Sequence, residues 1–357
     1  MKVKTVLILF CVLTSLGFAQ SITLIQNNAI SGKSGLGIGF DPVSQKVIRS
    51  SYGNPPVIDY LNKDTLAVEG TLATGSATYG DLAGFGMGVG PDGSVVILDH
   101  VEVDSSNGLI RWTDYTDTAP GLCTAASSVP FPRYATILGS GTDQVFVCAG
   151  SGTGGALNVL TTTDGNTWSI AYSVGNPSLD PPEPGGQRGS AAYLGSGTTE
   201  YPELIFGCDA HAGATLNGIH VHKFVGSAYE YQGDMNPTSA DNSDAILGIA
   251  VDPGFEATET VDGEAPVLLA LGAHASDDHK TALYMFDLRT MSEMAVVSFT
   301  GASADIGYYG AIGLDQLNNR VYFTFRNSGD STLGYADYTP PATEYLSAAN
   351  NNWQLYE

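Results

Sequence analysis

The residues best suited to chemistry are carboxylates, imidazoles and guanidinium groups, and they recur at two kinds of place. Asp81, Arg133, Arg188, Asp244 and Asp305 each stand shortly before a strand rich in small residues. Asp99, His100, His211, His274 and Arg326 stand where the following strand ends. Asp and His together can move protons near neutral pH. Arginine offers donors that hold an anion or a hydroxylated ligand. Each has an everyday alternative: an arginine can pair with an acid between neighbouring units, and a loop histidine can bond to backbone. Arg133 and Arg188 carry more weight, because both precede the same Leu-Gly-Ser-Gly-Thr phrase, at 138–142 and 194–198.

Other candidates read as ordinary structure. His220 and His222 alternate on one face of a strand, two ligands without a third, and are expected to be solvated. Asp104-Ser105-Ser106-Asn107-Gly108 and Asp241-Asn242-Ser243-Asp244 are oxygen-rich loops that miss the twelve-residue calcium pattern and read as solvated turns. Calcium is the only cofactor they leave open. Tyr134, Tyr308 and Tyr309 could stack on sugars or pack in a channel. There is no Gly-x-Ser-x-Gly elbow, phosphate-binding loop, HExxH or CxxC. Serine and zinc hydrolysis therefore have little support.

The elements that must position these groups repeat. Gly37-Ile38-Gly39-Phe40-Asp41-Pro42 returns at Gly86, Gly248 and Ala311, at intervals of 49, 162 and 63 residues. The long interval holds two worn copies, the segments bearing Leu-Gly-Ser-Gly-Thr. Each repeat reads as a small-residue strand, a Pro/Asp/Gly turn and a strand rich in β-branched and aromatic residues. Helical periodicity is nearly absent. A period near 50 residues implies an all-β, six-bladed β-propeller, with seven blades as the runner-up. Gly-rich runs at 35–39 and 84–88 sit inside strands with no helix after them, so they are not a dinucleotide fingerprint. The expected fourth strand of the first repeat covers Thr65 to Val68. Ser21 to Gln26 and Trp353 to Tyr356 are expected to meet in one blade and close the ring, removing its edges.

Residues 1–19 read as a signal peptide: Lys2 and Lys4, an apolar run from Val6 to Leu16, then Gly17-Phe18-Ala19. Residues 20–357 then form a single propeller domain, secreted or periplasmic. Without Lys2 and Lys4, 12 basic residues face 37 acidic ones. Nucleic acid and anionic membrane are poor partners for such a surface. Three cysteines remain (Cys123, Cys148 and Cys208), and buried free thiols are expected rather than a bridge.

Gly86-Met87-Gly88-Val89-Gly90-Pro91-Asp92-Gly93-Ser94, with the Val95 to Asp99 strand after it, resembles the repeats of NHL and gluconolactonase-type six-bladed propellers. That group is a calcium-centred hydrolase whose metal is held by carboxylates and an Asn in the channel. This set does not map onto matching positions here, so the activity is not carried over. Thr162-Thr163-Asp164-Gly165-Asn166-Thr167-Trp168 resembles a shortened Asp-box hairpin of sialidase-like propellers. The Arg133 and Arg188 segments are similar to uncharacterised exported bacterial propeller proteins. The expected function is a binding or interaction module for a saccharide or other small polar ligand at the channel mouth, or for a surface protein. The alternatives are a calcium-assisted lyase or hydrolase on carbohydrate or lactone, using Asp and His, and a structural surface component.

Overall fold

The second strands of several repeats hold a near-continuous apolar run, such as Val95-Val96-Ile97 or Val267-Leu268-Leu269-Ala270-Leu271. A strand reads this way when both of its faces are buried. The computed structural model of the chain bears this out. It describes residues 20–31, 34–51, 53, 55–75, 86–98, 102–103, 109–125, 129–130, 133–149, 157–175, 188–195, 201–209, 218–238, 245–258, 261–273, 280–300, 306–327 and 330–343. Six antiparallel four-stranded blades form a β-propeller, as the repeats require.

The inner strands are Ser34–Asp41, Gly86–Val89, Arg133–Ser140, Arg188–Leu194, Ala245–Asp252 and Ile306–Asp315, in blade order. Each pairs with a second strand across a short turn or a longer connection: Lys46–Ser51, Val95–Leu98, Asp143–Ala149, Leu204–Asp209, Val267–Ala273 and Arg320–Asn327. The sixth blade takes its outer strand from the chain's beginning. Ser21–Ser31 pairs antiparallel with Asp330–Thr339, which closes the ring. The expected partner Trp353 to Tyr356 lies outside the described residues. One correction concerns the first blade: residues 63–65 form a turn, and the outer strand is Val68–Thr71. Asn62 caps that turn by accepting the N–H groups of Asp64 and Thr65, so the strand starts later than its residue types suggest.

The core is split into six apolar clusters, one at each joint between blades. Alternation along the second strands sorts side chains between joints. Val95 and Ile97 pack toward the first blade, and Val96 toward the third. Phe146 and Cys148 pack toward the second blade, and Val145 and Val147 toward the fourth. The outer strands of the second and third blades also pair in parallel, Thr124 with Thr167 and Ala125 with Trp168. Cys123, Cys148 and Cys208 are free and buried, as expected. Burial pushes the Cys148 thiol up to about 12, so it packs as a small apolar residue rather than as a nucleophile.

Candidate functional site

A ring of inner strands makes a channel with two mouths. At the hairpin mouth the inner strands turn back into the second strands. At the loop mouth the inner strands begin and the second strands end. The proposed Arg, Asp and His groups belong to the loop mouth by chain position. Arg133 and Arg188 are the first residues of the third and fourth inner strands, with backbone partners Ala149 and Asp209. Arg326 lies one residue from the end of its second strand, opposite Tyr309. Asp81, Asp99, His100, His211, Asp244, His274 and Asp305 lie outside the described residues, as do the two oxygen-rich loops.

The hairpin half of the channel has a volume of about 510 Å³ and is walled by all six blades. Its surface comes from Ile38 and Phe40, Met87 and Val89, Ile137, Leu194, Val251, Ile312 and Leu314. The polar side chains of the wall are engaged. The Thr136 hydroxyl donates to the Ala191 carbonyl at 2.7 Å, and the Tyr193 hydroxyl to the Ile137 carbonyl at 3.1 Å. Asp315 accepts from the backbone and side-chain amides of Asn318.

The carboxylates at the inner-strand ends act as turn caps. Asp41 accepts the N–H groups of Val43 and Ser44. Asp252 accepts the Gly254 N–H and the Tyr338 hydroxyl, and burial raises its carboxyl above the usual range. Among the described residues, no group of three or more His, Cys, Asp or Glu is placed to hold a metal ion. Among the described residues, the channel wall does not supply the carboxylate–Asn set of a calcium-centred hydrolase.

Other arginines show what pairing between blades looks like in this ring. Arg320 reaches from the sixth blade to Asp64 of the first at 3.0 Å, while its Nε holds Asp337. Arg111 of the second blade donates to the Gly141 carbonyl of the third, and Asp92 accepts the Gly141 N–H.

The structure corrects the reading of His220 and His222. Both are buried, at 1% and 0% exposure, rather than solvated. They pair across the sheet with Gly207 and Ile205, and Ile205 belongs to the cluster between the third and fourth blades. Residues directly opposite share a face, so both imidazoles point into that joint. His220 Nδ1 lies 2.7 Å from Asp234 Oδ1, which also accepts from the Tyr231 hydroxyl at 2.6 Å. Burial opposes ionisation of Asp234, but these hydrogen bonds outweigh it and hold the carboxyl below its ordinary range. The missed signal was Asp234 in the neighbouring strand, which faces His220 in register.

The Thr162–Trp168 segment is a hairpin turn, as its resemblance implies. Asp164 accepts the N–H groups of Asn166 and Thr167, and Trp168 is fully buried.

No family model matches the chain, and no curated protein matches it. Among solved structures it is similar to a gluconolactonase from Xanthomonas campestris described as important in glucose secondary metabolic pathways. The TM-score is 0.52 at 9% identity, over 90% of this chain and 98% of that one. At this identity the likeness shows the fold, and it is the propeller type that the repeats resemble.

Proposed function

We propose that the chain is an exported binding module that takes a saccharide or similar small polar ligand at the loop mouth. The observation that carries this reading is the placement of Arg133 and Arg188. Each opens an inner strand, in neighbouring blades, at the end where loops converge. A rigid ring that presents loop groups around one opening is a common arrangement for recognition. Asp81, Asp99, His100, His211, Asp244, His274, Asp305 and Arg326 complete the proposed mouth. With Arg133 and Arg188 they supply both signs of charge and both donors and acceptors for hydroxyl groups.

A glycan array probed with the mature chain, with and without calcium, tests the reading directly. Arg133→Ala should then weaken binding of any hit by about 1.5–3 kcal/mol, the range for a charge-assisted hydrogen bond. A lower melting temperature with unchanged affinity would instead assign Arg133 to pairing between blades. Turnover of a sugar lactone in the same samples would move the protein into the hydrolase class. Intact mass of secreted protein should show a chain starting at or within two residues of Gln20.

A further inference from the structure

A lysine, an asparagine and a glutamate meet at the turn end of the first blade, away from the loop mouth. Lys46 opens the second strand and stands directly opposite Asn62, the last residue of the third strand, Val57–Asn62. Directly opposite residues share a face. It is the face turned to the second blade, since Ile48, two residues on, packs in that joint with Val95, Ile97 and Trp112. Glu69 comes from the outer strand, Val68–Thr71. Val68 pairs with Leu61 and Gly70 with Tyr60, so Glu69 is the extra residue of a bulge. A bulge re-aims a side chain, and this one carries Glu69 onto both partners. One carboxylate oxygen accepts from Lys46 Nζ, and the other accepts from Asn62 Nδ2 at 2.9 Å. The Asn62 side-chain oxygen accepts the N–H groups of Asp64 and Thr65, each at 3.0 Å.

We propose that Lys46 and Asn62 join in an intramolecular isopeptide bond, with Glu69 as the catalytic residue. A salt bridge needs only Lys46 and Glu69, and a turn cap needs only the Asn62 oxygen. Neither requires Glu69 to hold the Asn62 nitrogen as well. Together the contacts supply a nucleophile, an electrophilic amide, a proton carrier touching both nitrogens, and two N–H donors on the oxygen where charge develops.

The pair rests as ammonium and carboxylate, because the hydrogen bond between them raises the lysine pKa and lowers that of the glutamate. The reaction therefore starts with proton transfer from Lys46 to Glu69. The neutral amine attacks Asn62 Cγ, and the carbonyl electron pair moves to Oδ1 under the Asp64 and Thr65 N–H groups. Glu69 returns its proton to Asn62 Nδ2. The C–N bond to Nδ2 breaks as the carbonyl re-forms, and ammonia departs. It takes the surplus proton of the attacking nitrogen and leaves as ammonium. Nothing is oxidised or reduced, and Glu69 ends as it began. The bond would fasten the second and third strands of a blade whose outer strand has only four residues. The three described cysteines are free, so no disulfide serves that purpose among them.

The test is tryptic mapping by mass spectrometry of the mature, folded chain after long incubation near neutral pH. Trypsin does not cut after an acylated lysine. It should therefore release residues 34–49 joined to residues 50–63, lighter than the two peptides by one ammonia. The joined fragment decides, and not the whole mass, because an N-terminal Gln20 loses ammonia on cyclising. Glu69→Gln sits at an exposed position and should form the fragment at least about a hundredfold more slowly, the scale of acid–base assistance. Lys46→Arg and Asn62→Ala should not form it at all. Asn62→Ala also removes the turn cap; if it fails to fold, Lys46→Arg, which keeps the positive charge, serves alone. Only separate peptides from wild type, or an equal rate in Glu69→Gln, would overturn the inference.

Discussion

At the channel wall the sixth and first blades meet backbone to backbone, whereas the third and fourth are bridged there by side chains. At the first, Gly313 lies so close to Gly39 that a Cβ on Gly313 would stand 2.7 Å from the Gly39 Cα. Gly39 in turn leaves no room for a Cβ against Val89 of the second blade. Aromatic rings then fasten the sixth blade to the first. Phe40 stacks on Tyr322 at 5.7 Å, and the Tyr322 and Tyr335 hydroxyls donate to the Lys63 and Asp64 carbonyls. At the other joint no glycine pair meets among the described residues. Thr136 and Tyr193 act as spacers that reach across by hydrogen bonds. Behind them lie the His220–Asp234–Tyr231 group and a nest of Tyr172, Tyr201, Phe224 and Tyr229. Two solutions to the same crowding problem coexist in one ring. One removes the side chain, and the other makes it do the spacing.

The comparison breaks most severely at the glycine joint. Gly313→Val should cost about 3 kcal/mol or more in denaturant unfolding, because the new side chain meets a backbone that cannot turn aside. A loss under about 1 kcal/mol, within the range of a tolerated swap, would mean that the inner strands separate easily. Next in size is Asp234→Asn. It removes the carboxylate from a buried histidine and should cost on the order of 2 kcal/mol near neutral pH, as hydrogen bonds to charged groups do. The sign follows from its depressed carboxyl. Its contribution is complete above the unfolded carboxylate range and is lost as pH falls through the lower folded value. Wild type and Asp234→Asn should therefore converge in acid, and equal spacing at pH 7 and pH 3 would contradict this.

Tyr193→Phe tests the spacer joint more gently. The ring remains while the Ile137 carbonyl loses its donor, so the cost should be about 1 kcal/mol. Burial raises the Tyr193 phenol well above its usual range, so no pH dependence is expected at ordinary alkalinity. The same measurement on Tyr172→Phe should give less, since its ring packing is retained and no hydrogen bond to a carbonyl is lost. Reversal of that order would shift the weight of the joint from the channel wall to the outer nest.

The sequence carried the glycine joint openly and the spacer joint hardly at all. Gly37, Gly39, Gly248 and Gly313 recur because close approach admits no side chain, and that constraint leaves a visible phrase. The third and fourth repeats seemed worn because Ile137 and Tyr193 stand where other blades have Gly or Ala. A spacer can be built from many residues, so it leaves no phrase. The burial of His220 and His222 was not legible, because period-two alternation does not say which face a neighbouring blade covers.

The smallest expected effect lies in the outer hairpin of the third blade, at Asp164. Its carboxylate accepts from Thr167 and Asn166, and these hydrogen bonds lower its pKa to about 2. The side chain is exposed, so solvent screens most of the effect. The turn also seats Trp168, which is fully buried and lies edge-on to Phe146 at 5.8 Å. Asp164→Ala should leave that packing in place and lower the melting temperature slightly at pH 7. Because the folded pKa is depressed, the difference should hold above about pH 4 and close as pH falls toward 2. Thr162 also bonds within this turn, donating to Asp164 and accepting the Gly165 N–H. Thr162→Val should therefore reproduce part of the loss with a weaker acid convergence, because its hydroxyl supports the lowered carboxyl while its bond to the Gly165 N–H does not titrate. If Asp164→Ala kept its full difference from wild type near pH 2, the hairpin's contribution would lie in the whole turn and not in the Asp164 charge.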